Sequence, residues 1–228
     1  MSKPIDVSQL PKYIDHTLLK ADATKAQIAK LCEEAKTYQF FSVCVNSYWV
    51  PTCRELLEGS EVKIAAVAGF PLGANSSKTK AFEAANCVEN GAKEIDMVLA
   101  VGSMLDGDTD TVFKDIQAVT KAVENKAIVK VILETGFLNN DQIKEACQLS
   151  EQAGAHFVKT STGFGPGGAT VDHVRLMRAT VSDKMEVKAS GGIRDLTTAL
   201  QMIEAGATRL GASSGVSIMK GTSGTSTY

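Results

Sequence analysis

The sequence lacks the features that would mark a secreted, membrane-spanning or nucleic-acid-binding protein. Its five cysteines (Cys32, Cys44, Cys53, Cys87, Cys147) are odd in number, scattered and without a Cys-x-x-Cys pair. That excludes a disulfide framework or zinc knuckle as the organising device and points to free thiols in a reducing cytoplasm. No apolar run approaches the ~20 residues needed to span a bilayer. Lys3, Pro4 and Asp6 stand where a secretory signal would carry its apolar core. A large excess of charge of one sign is missing too: 24 Lys and Arg face 26 Asp and Glu, a net of −2. Neither a nucleic-acid footprint nor an anionic membrane surface is therefore expected. The histidines His16, His156 and His173 show no mutual spacing that suggests a metal site or a triad, so no metal is expected.

What is present is an alternation of strand-like and helix-like segments along 228 residues, 44% of them hydrophobic. Strands are expected at 13–19, 40–45, 62–68, 94–99, 128–133, 156–159, 186–188 and 208–211. Helices are expected from Thr24 onward and at 48–57, 78–90, 109–124, 141–153, 170–179, 196–205 and 214–220, with a short extra helix at 6–10. Thr24 is a cap, Pro51 sits in a first turn, and Gly91, Gly154 and Gly206 end helices. Short strands, often apolar on both faces, suit a parallel sheet covered by helices. Eight such pairs specify a (β/α)8 TIM barrel better than an open doubly wound sheet, the structural alternative. No linker divides the chain, so residues 1–228 form a single catalytic domain, with 221–228 as a flexible tail ending in Tyr228, a possible proton donor.

Two stretches repeat. Val158-Lys159-Thr160-Ser161-Thr162-Gly163 and Val187-Lys188-Ala189-Ser190-Gly191-Gly192 each end a strand in lysine and continue in small hydroxyl and glycine residues. Their lysines lie one strand-helix-strand step apart and should emerge from neighbouring strands at the same end of the barrel, where active sites of this fold sit. Asp15, Thr17, Cys44, Asn46, Asp96, Lys130 and Glu134 collect at or near the same strand ends. Strands ~4.8 Å apart bring two inward ammonium groups to ~6 Å. At an effective dielectric near 20 they repel by ~3 kcal/mol, roughly two pKa units, and desolvation acts in the same direction. One lysine is then a free amine able to attack a carbonyl, while the other stays charged. Asp96, in an otherwise apolar strand, needs a cationic partner; Lys188 is the candidate, and Asp15 could extend a proton relay.

A phosphate site is legible in Ser190-Gly191-Gly192 and Gly211-Ala212-Ser213-Ser214-Gly215, which follow the seventh and eighth strands. Thr162 and Gly163, after Lys159, are candidates for the same substrate contacts. Cys44 is either a small buried hydrophobe or a thiol facing the barrel mouth.

Beside these residues, Ile14-Asp15-His16-Thr17-Leu18-Leu19, Val43-Cys44-Val45-Asn46, Glu94-Ile95-Asp96-Met97-Val98 and Lys130-Val131-Ile132-Leu133-Glu134-Thr135 complete an ordered set of distinctive motifs. With the two lysine stretches, and Lys188 continuing to Ile193-Arg194, the chain resembles the class I deoxyribose-phosphate aldolases over nearly its whole length. The resemblance implies a (β/α)8 barrel that reversibly joins acetaldehyde to D-glyceraldehyde 3-phosphate, giving 2-deoxy-D-ribose 5-phosphate, without metal or organic cofactor. It implies Lys159 as the Schiff-base lysine, Lys188 as the lysine that perturbs it, Asp96 as proton donor and acceptor, and Gly191-Gly192 with Ser213-Ser214 as phosphate holders. The partners are then a phosphorylated sugar and a short aldehyde. A homo-oligomer, dimer or tetramer, is expected because barrels of this size often pair through exposed helix faces. Phe164 departs from relatives that carry a basic residue there, leaving more of the phosphate charge to backbone donors. Two other functions fit the residues alone: a non-covalent isomerase or epimerase using Asp15 and Asp96, and a sugar-phosphate sensor without catalysis.

Overall fold

The computed structural model describes residues 6–224. Eight parallel strands, β1 (Ile14–Leu18), β2 (Ser42–Val45), β3 (Lys63–Ala68), β4 (Glu94–Val98), β5 (Ile128–Ile132), β6 (Phe157–Lys159), β7 (Glu186–Ser190) and β8 (Arg209–Ala212), close into a barrel. Around it run α1 (Lys25–Tyr38), α2 (Val50–Leu56), α3 (Ser77–Glu89), α4 (Val101–Leu105), α5 (Thr109–Ala122), α6 (Asn140–Gln152), α7 (Val171–Thr180), α8 (Leu196–Glu204) and α9 (Gly215–Met219). This is the (β/α)8 barrel the alternation predicts. Among the described residues no helix is long and apolar enough to cross a membrane.

Local chemistry sets the helix starts. Thr24 and Asn139 each close a capping box, with Gln27 and Gln142, so two backbone donors are satisfied at the openings of α1 and α6. Two elements differ from expectation. The leading segment runs as a 3-10 helix over Val7–Tyr13, since Pro11 has no N–H for a regular α-helical bond. α4 is five residues long, contains Gly102 and has no side-chain cap, which leaves little periodicity to read.

Along each strand the side chains alternate between the helix-facing and barrel-facing sides. The helix-facing set (Val43, Val45, Ile64, Ala66, Ile95, Met97, Val129, Val131 and others) joins the helices in one apolar core. The barrel-facing set is different: Asp15, Ser42, Glu94, Asp96, Lys130, Lys159, Lys188 and Arg209 are all buried. The expectation of strands apolar on both faces therefore holds only outside the barrel. Inside, apolar side chains are fewer: Leu19, Cys44, Ala65 and Val67 form a small cluster with Phe70 against it, and Val98, Ile132 and Phe157 lie on the charged side of their strands.

A second buried ion pair fixes the end of β4. Lys80 of α3 donates to Asp115 of α5 (2.6 Å) and to the Val98 carbonyl (2.9 Å), and neither side chain is more than 2% exposed. Removing one partner of such a pair strands the other charge. Lys80→Met is expected to lower the unfolding free energy by about 3–5 kcal/mol in urea denaturation, a cost typical of a broken buried pair. A loss below about 1 kcal/mol would mean the pair does not hold the β4 end.

Candidate active site

The strand register decides which side chains meet. Lys159 and Lys188 are direct partners across β6 and β7, and Asp96 is opposite Lys130 across β4 and β5. Three lysines converge on one carboxylate. Oδ2 of Asp96 accepts from Lys159 (2.9 Å) and Lys188 (2.7 Å), and Oδ1 accepts from Lys130 (2.7 Å). Lys188 also donates to Asp15 (2.5 Å), and Lys130 pairs with Glu94 (2.6 Å). Beneath them Arg209 bridges Asp15 (3.0 Å) and Glu94 (2.9 Å), and the Ser42 hydroxyl donates to Asp15 (2.7 Å). Asp96 thus has three cationic partners, where the residues alone suggested Lys188.

Burial and charge separate the lysines. Burial lowers the basicity of Lys159; Asp96 opposes this and Lys188 adds to it, so its pKa lies below that of an ordinary lysine. Desolvation is therefore the larger cause, and like-charge crowding, expected to lead, comes behind it. Burial also disfavours the charged form of Lys188, but Asp15 and Asp96 outweigh it and hold that ammonium well above the usual lysine range. Asp96 would be raised by burial, yet Lys130, Lys159 and Lys188 keep it well below the ordinary carboxylate range. The arrangement is a lysine of lowered basicity and an ammonium that meet on one carboxylate, suited to attacking a carbonyl and moving protons around the adduct.

The other predicted residues flank this centre. The Thr17 hydroxyl donates to the Asp15 carbonyl at 2.8 Å. Cys44 is fully buried in the inner apolar cluster, and burial together with the Asp96 carboxylate raises its pKa, keeping the thiol uncharged. Thr162 donates its hydroxyl and its backbone N–H to Glu134. That hydroxyl is occupied in shaping the loop. The loops after β6 and β7 are stitched together: Thr160 donates to the Ser190 carbonyl (3.0 Å), Ser190 donates to the Ser161 carbonyl (2.6 Å), and Ala169 N–H reaches the Gly191 carbonyl (2.9 Å). Gly163, Gly191 and Gly192 all have left-handed backbones (φ 89°, 87°, 81°). A side chain at Gly168 would strike the Gly191 carbonyl. Gly211 lies in β8, and Ser213 and Ser214 precede α9. Two buried hydroxyls in these loops, Ser161 Oγ and Ser214 Oγ, find no hydrogen-bond partner among the described residues. Tyr228 lies outside the described residues.

Residues 10–221 match the family model described as DeoC/LacD family aldolase. The chain belongs to that family. The deoxyribose-phosphate aldolase of Geobacillus sp. (strain WCH70) is 58% identical over 221 residues, covering 97% of this chain and 99% of its own. That of Streptococcus gordonii is 57% identical over 220 residues, covering 96% of this chain and all of its own. Among solved structures, the deoxyribose phosphate aldolase from Aeropyrum pernix, described as having a unique tetrameric structure, superimposes with a TM-score of 0.88. It is 33% identical and covers 94% of this chain and 91% of its own.

In this family aldolase, sequence reasoning missed Glu94 and Arg209 altogether and gave Lys130 no role. A signal for them existed. Glu94 precedes Asp96 by two residues and Arg209 precedes Gly211 by two, so each shares the barrel-facing side of its strand. Phe164 is 46% exposed and meets Phe70 edge-on, with ring centroids 5.4 Å apart. With Pro71, Leu72, Val101 and Phe137 it lines an apolar niche of about 240 Å³.

Because Lys159 carries a lowered pKa, its free-amine fraction grows as pH rises through a midpoint below that of a solvated lysine. Borohydride trapping of an aldehyde on Lys159 should follow that curve. Lys188→Met removes the neighbouring positive charge and should move the midpoint to higher pH, by roughly two units. An unmoved midpoint would show that Lys188 does not influence Lys159.

Proposed function

We propose that this chain reversibly cleaves 2-deoxy-D-ribose 5-phosphate to D-glyceraldehyde 3-phosphate and acetaldehyde through a lysine imine. The observation that carries the reading is Lys159 Nζ, the one lysine of the three with depressed basicity, hydrogen-bonded to the same Asp96 oxygen as the Lys188 ammonium. Family membership supports the same reaction class, an aldehyde-lyase acting on a phosphosugar.

In the cleavage direction the Lys159 amine adds to C1 of the open-chain aldehyde, and the carbinolamine loses water to give an iminium. The C3 hydroxyl then gives up its proton, the C2–C3 bond breaks, and its electron pair moves into the iminium to form an enamine. Glyceraldehyde 3-phosphate departs. Protonation of the enamine carbon and addition of water release acetaldehyde and restore the amine. Asp96 and Lys188, with Asp15 behind them, take up and return these protons. Side chains and water suffice for every step, so neither metal nor organic cofactor is called on.

The phosphate is held by Gly191, Gly192, Gly211, Ser213 and Ser214. The partnerless hydroxyls of Ser161 and Ser214 support this reading, since a buried donor without an acceptor is costly unless a ligand supplies one. Gly163 lets its loop turn toward the phosphate, Thr162 shapes that loop through Glu134, and Thr17 and Cys44 border the reacting carbons. Tyr228 is a further candidate proton donor. The chain acts as a single catalytic domain and assembles as a homo-oligomer, dimer or tetramer. Five buried free thiols support a cytoplasmic location.

Incubation with deoxyribose 5-phosphate should release glyceraldehyde 3-phosphate, and acetaldehyde with borohydride should add its mass at Lys159. Turnover without any lysine adduct would sink the imine and favour a non-covalent isomerase. Asp96→Asn should lower kcat by about 10²–10⁴-fold, the range for a lost proton-transfer group. Ser161→Ala and Ser214→Ala should raise KM for the phosphorylated sugar and leave unphosphorylated deoxyribose unaffected. Equal effects on both sugars would remove these hydroxyls from the phosphate site.

A further inference from the structure

The barrel interior below Lys159 is a closed set of charges. Two routes of hydrogen bonds and ion pairs lead from Arg209 to Lys159. One passes through Asp15 (3.0 Å), Lys188 (2.5 Å) and Asp96 (2.7 Å); the other passes through Glu94 (2.9 Å), Lys130 (2.6 Å) and Asp96 (2.7 Å). Both finish on the 2.9 Å contact between Asp96 and Lys159. All seven residues are more than nine-tenths buried.

Fully ionised, this set holds four cations (Lys130, Lys159, Lys188, Arg209) against three carboxylates (Asp15, Glu94, Asp96). One positive charge is in surplus where water cannot solvate it, and the set becomes neutral only if one base gives up its proton. A guanidinium does not do so. Lys188 has two carboxylates within 2.7 Å, and so does Lys130. Lys159 has one, and shares its oxygen. The surplus falls on Lys159, and it exists only because Arg209 is present.

Taking Lys159 as the imine-forming amine, we infer that Arg209 is a positioning residue for the reaction, its buried guanidinium supplying the surplus charge that keeps Lys159 unprotonated. The guanidinium is fixed between two rings, 3.5 Å from the centroid of Phe41 and 5.3 Å from that of Phe157. Glu94 acts in the opposite sense, and its Oε1 finds no hydrogen-bond partner among the described residues. The remaining groups around the set leave the balance unchanged. Cys44 is an uncharged thiol, Glu134 accepts from Thr162 in the loop above and forms an ion pair with none of the seven, and Lys63 and Glu186 at the foot of the barrel are exposed.

The test is the pH dependence of borohydride trapping by acetaldehyde on Lys159, read beside that of kcat/KM for deoxyribose 5-phosphate. Arg209→Met should move the midpoint to higher pH by about one unit, as expected for a unit charge removed about 10 Å away at an effective dielectric of 20. Glu94→Gln should move it to lower pH by a similar amount, and the double variant should return it close to the parent value. Arg209→Lys, which keeps the charge, should hold the parent midpoint. Loss of activity with midpoints unmoved, or moved in the same direction by both single substitutions, would make Arg209 merely structural and overturn the inference. Should Arg209→Met fail to fold, Glu94→Gln decides alone, and the absence of an acid shift overturns it. Absence of trapping on Lys159 in the parent enzyme is a separate result, one that defeats the imine itself.

Discussion

A single carboxylate, Asp96, holds three ammonium groups that would otherwise repel one another inside a dry barrel. It does so with its two oxygens divided, one for Lys130 and one shared by Lys159 and Lys188. One negative charge cannot neutralise three positive ones, so second partners settle the outcome. Asp15 supports Lys188, Glu94 supports Lys130, and among the described residues no second carboxylate supports Lys159. The lysine proposed to react is the one left with the least compensation, and low dielectric makes that deficit count.

Rigid surroundings make the division possible. β4 presents Asp96 from a strand whose end is tied through the Val98 carbonyl to Lys80. β6 and β7 present their lysines in direct register, and the loops beyond them are joined by Thr160, Ser190 and Ala169. Groups held this way would need little rearrangement in the proposed reaction, which is how preorganised charge assists catalysis.

The barrel, its strand order and the central trio were legible in the sequence because each rests on short-range pattern. β5 over 128–132 and β6 over 157–159 fall within one residue of the segments read from the sequence, and Thr24 caps α1. The repeated Val-Lys-x-Ser-x-Gly stretch marked the lysine pair. The charged floor was harder to see. Arg209 and Glu94 each open a short strand, where a charged residue ordinarily faces solvent. Only closure of the sheet turns those positions inward and buries them. The sharing of Asp96 by three lysines was likewise out of reach, since it depends on the cross-strand register between β4 and β5. Crowding of like charges was overrated for a related reason: its magnitude could be reckoned from strand spacing, whereas the depth of burial could not.

The seven interior charges are not distributed at random along the chain. All three carboxylates come from β1 and β4, and all four cations come from β5, β6, β7 and β8. The two halves of the barrel are thus lined by opposite electricity, like the poles of a clasp. An isolated first half would crowd anions together, an isolated second half would crowd cations, and neither would tolerate losing its water. Ring closure removes both penalties at once, so the same pattern that leaves Lys159 least compensated gives the polypeptide a reason to assemble all eight staves cooperatively rather than pause halfway.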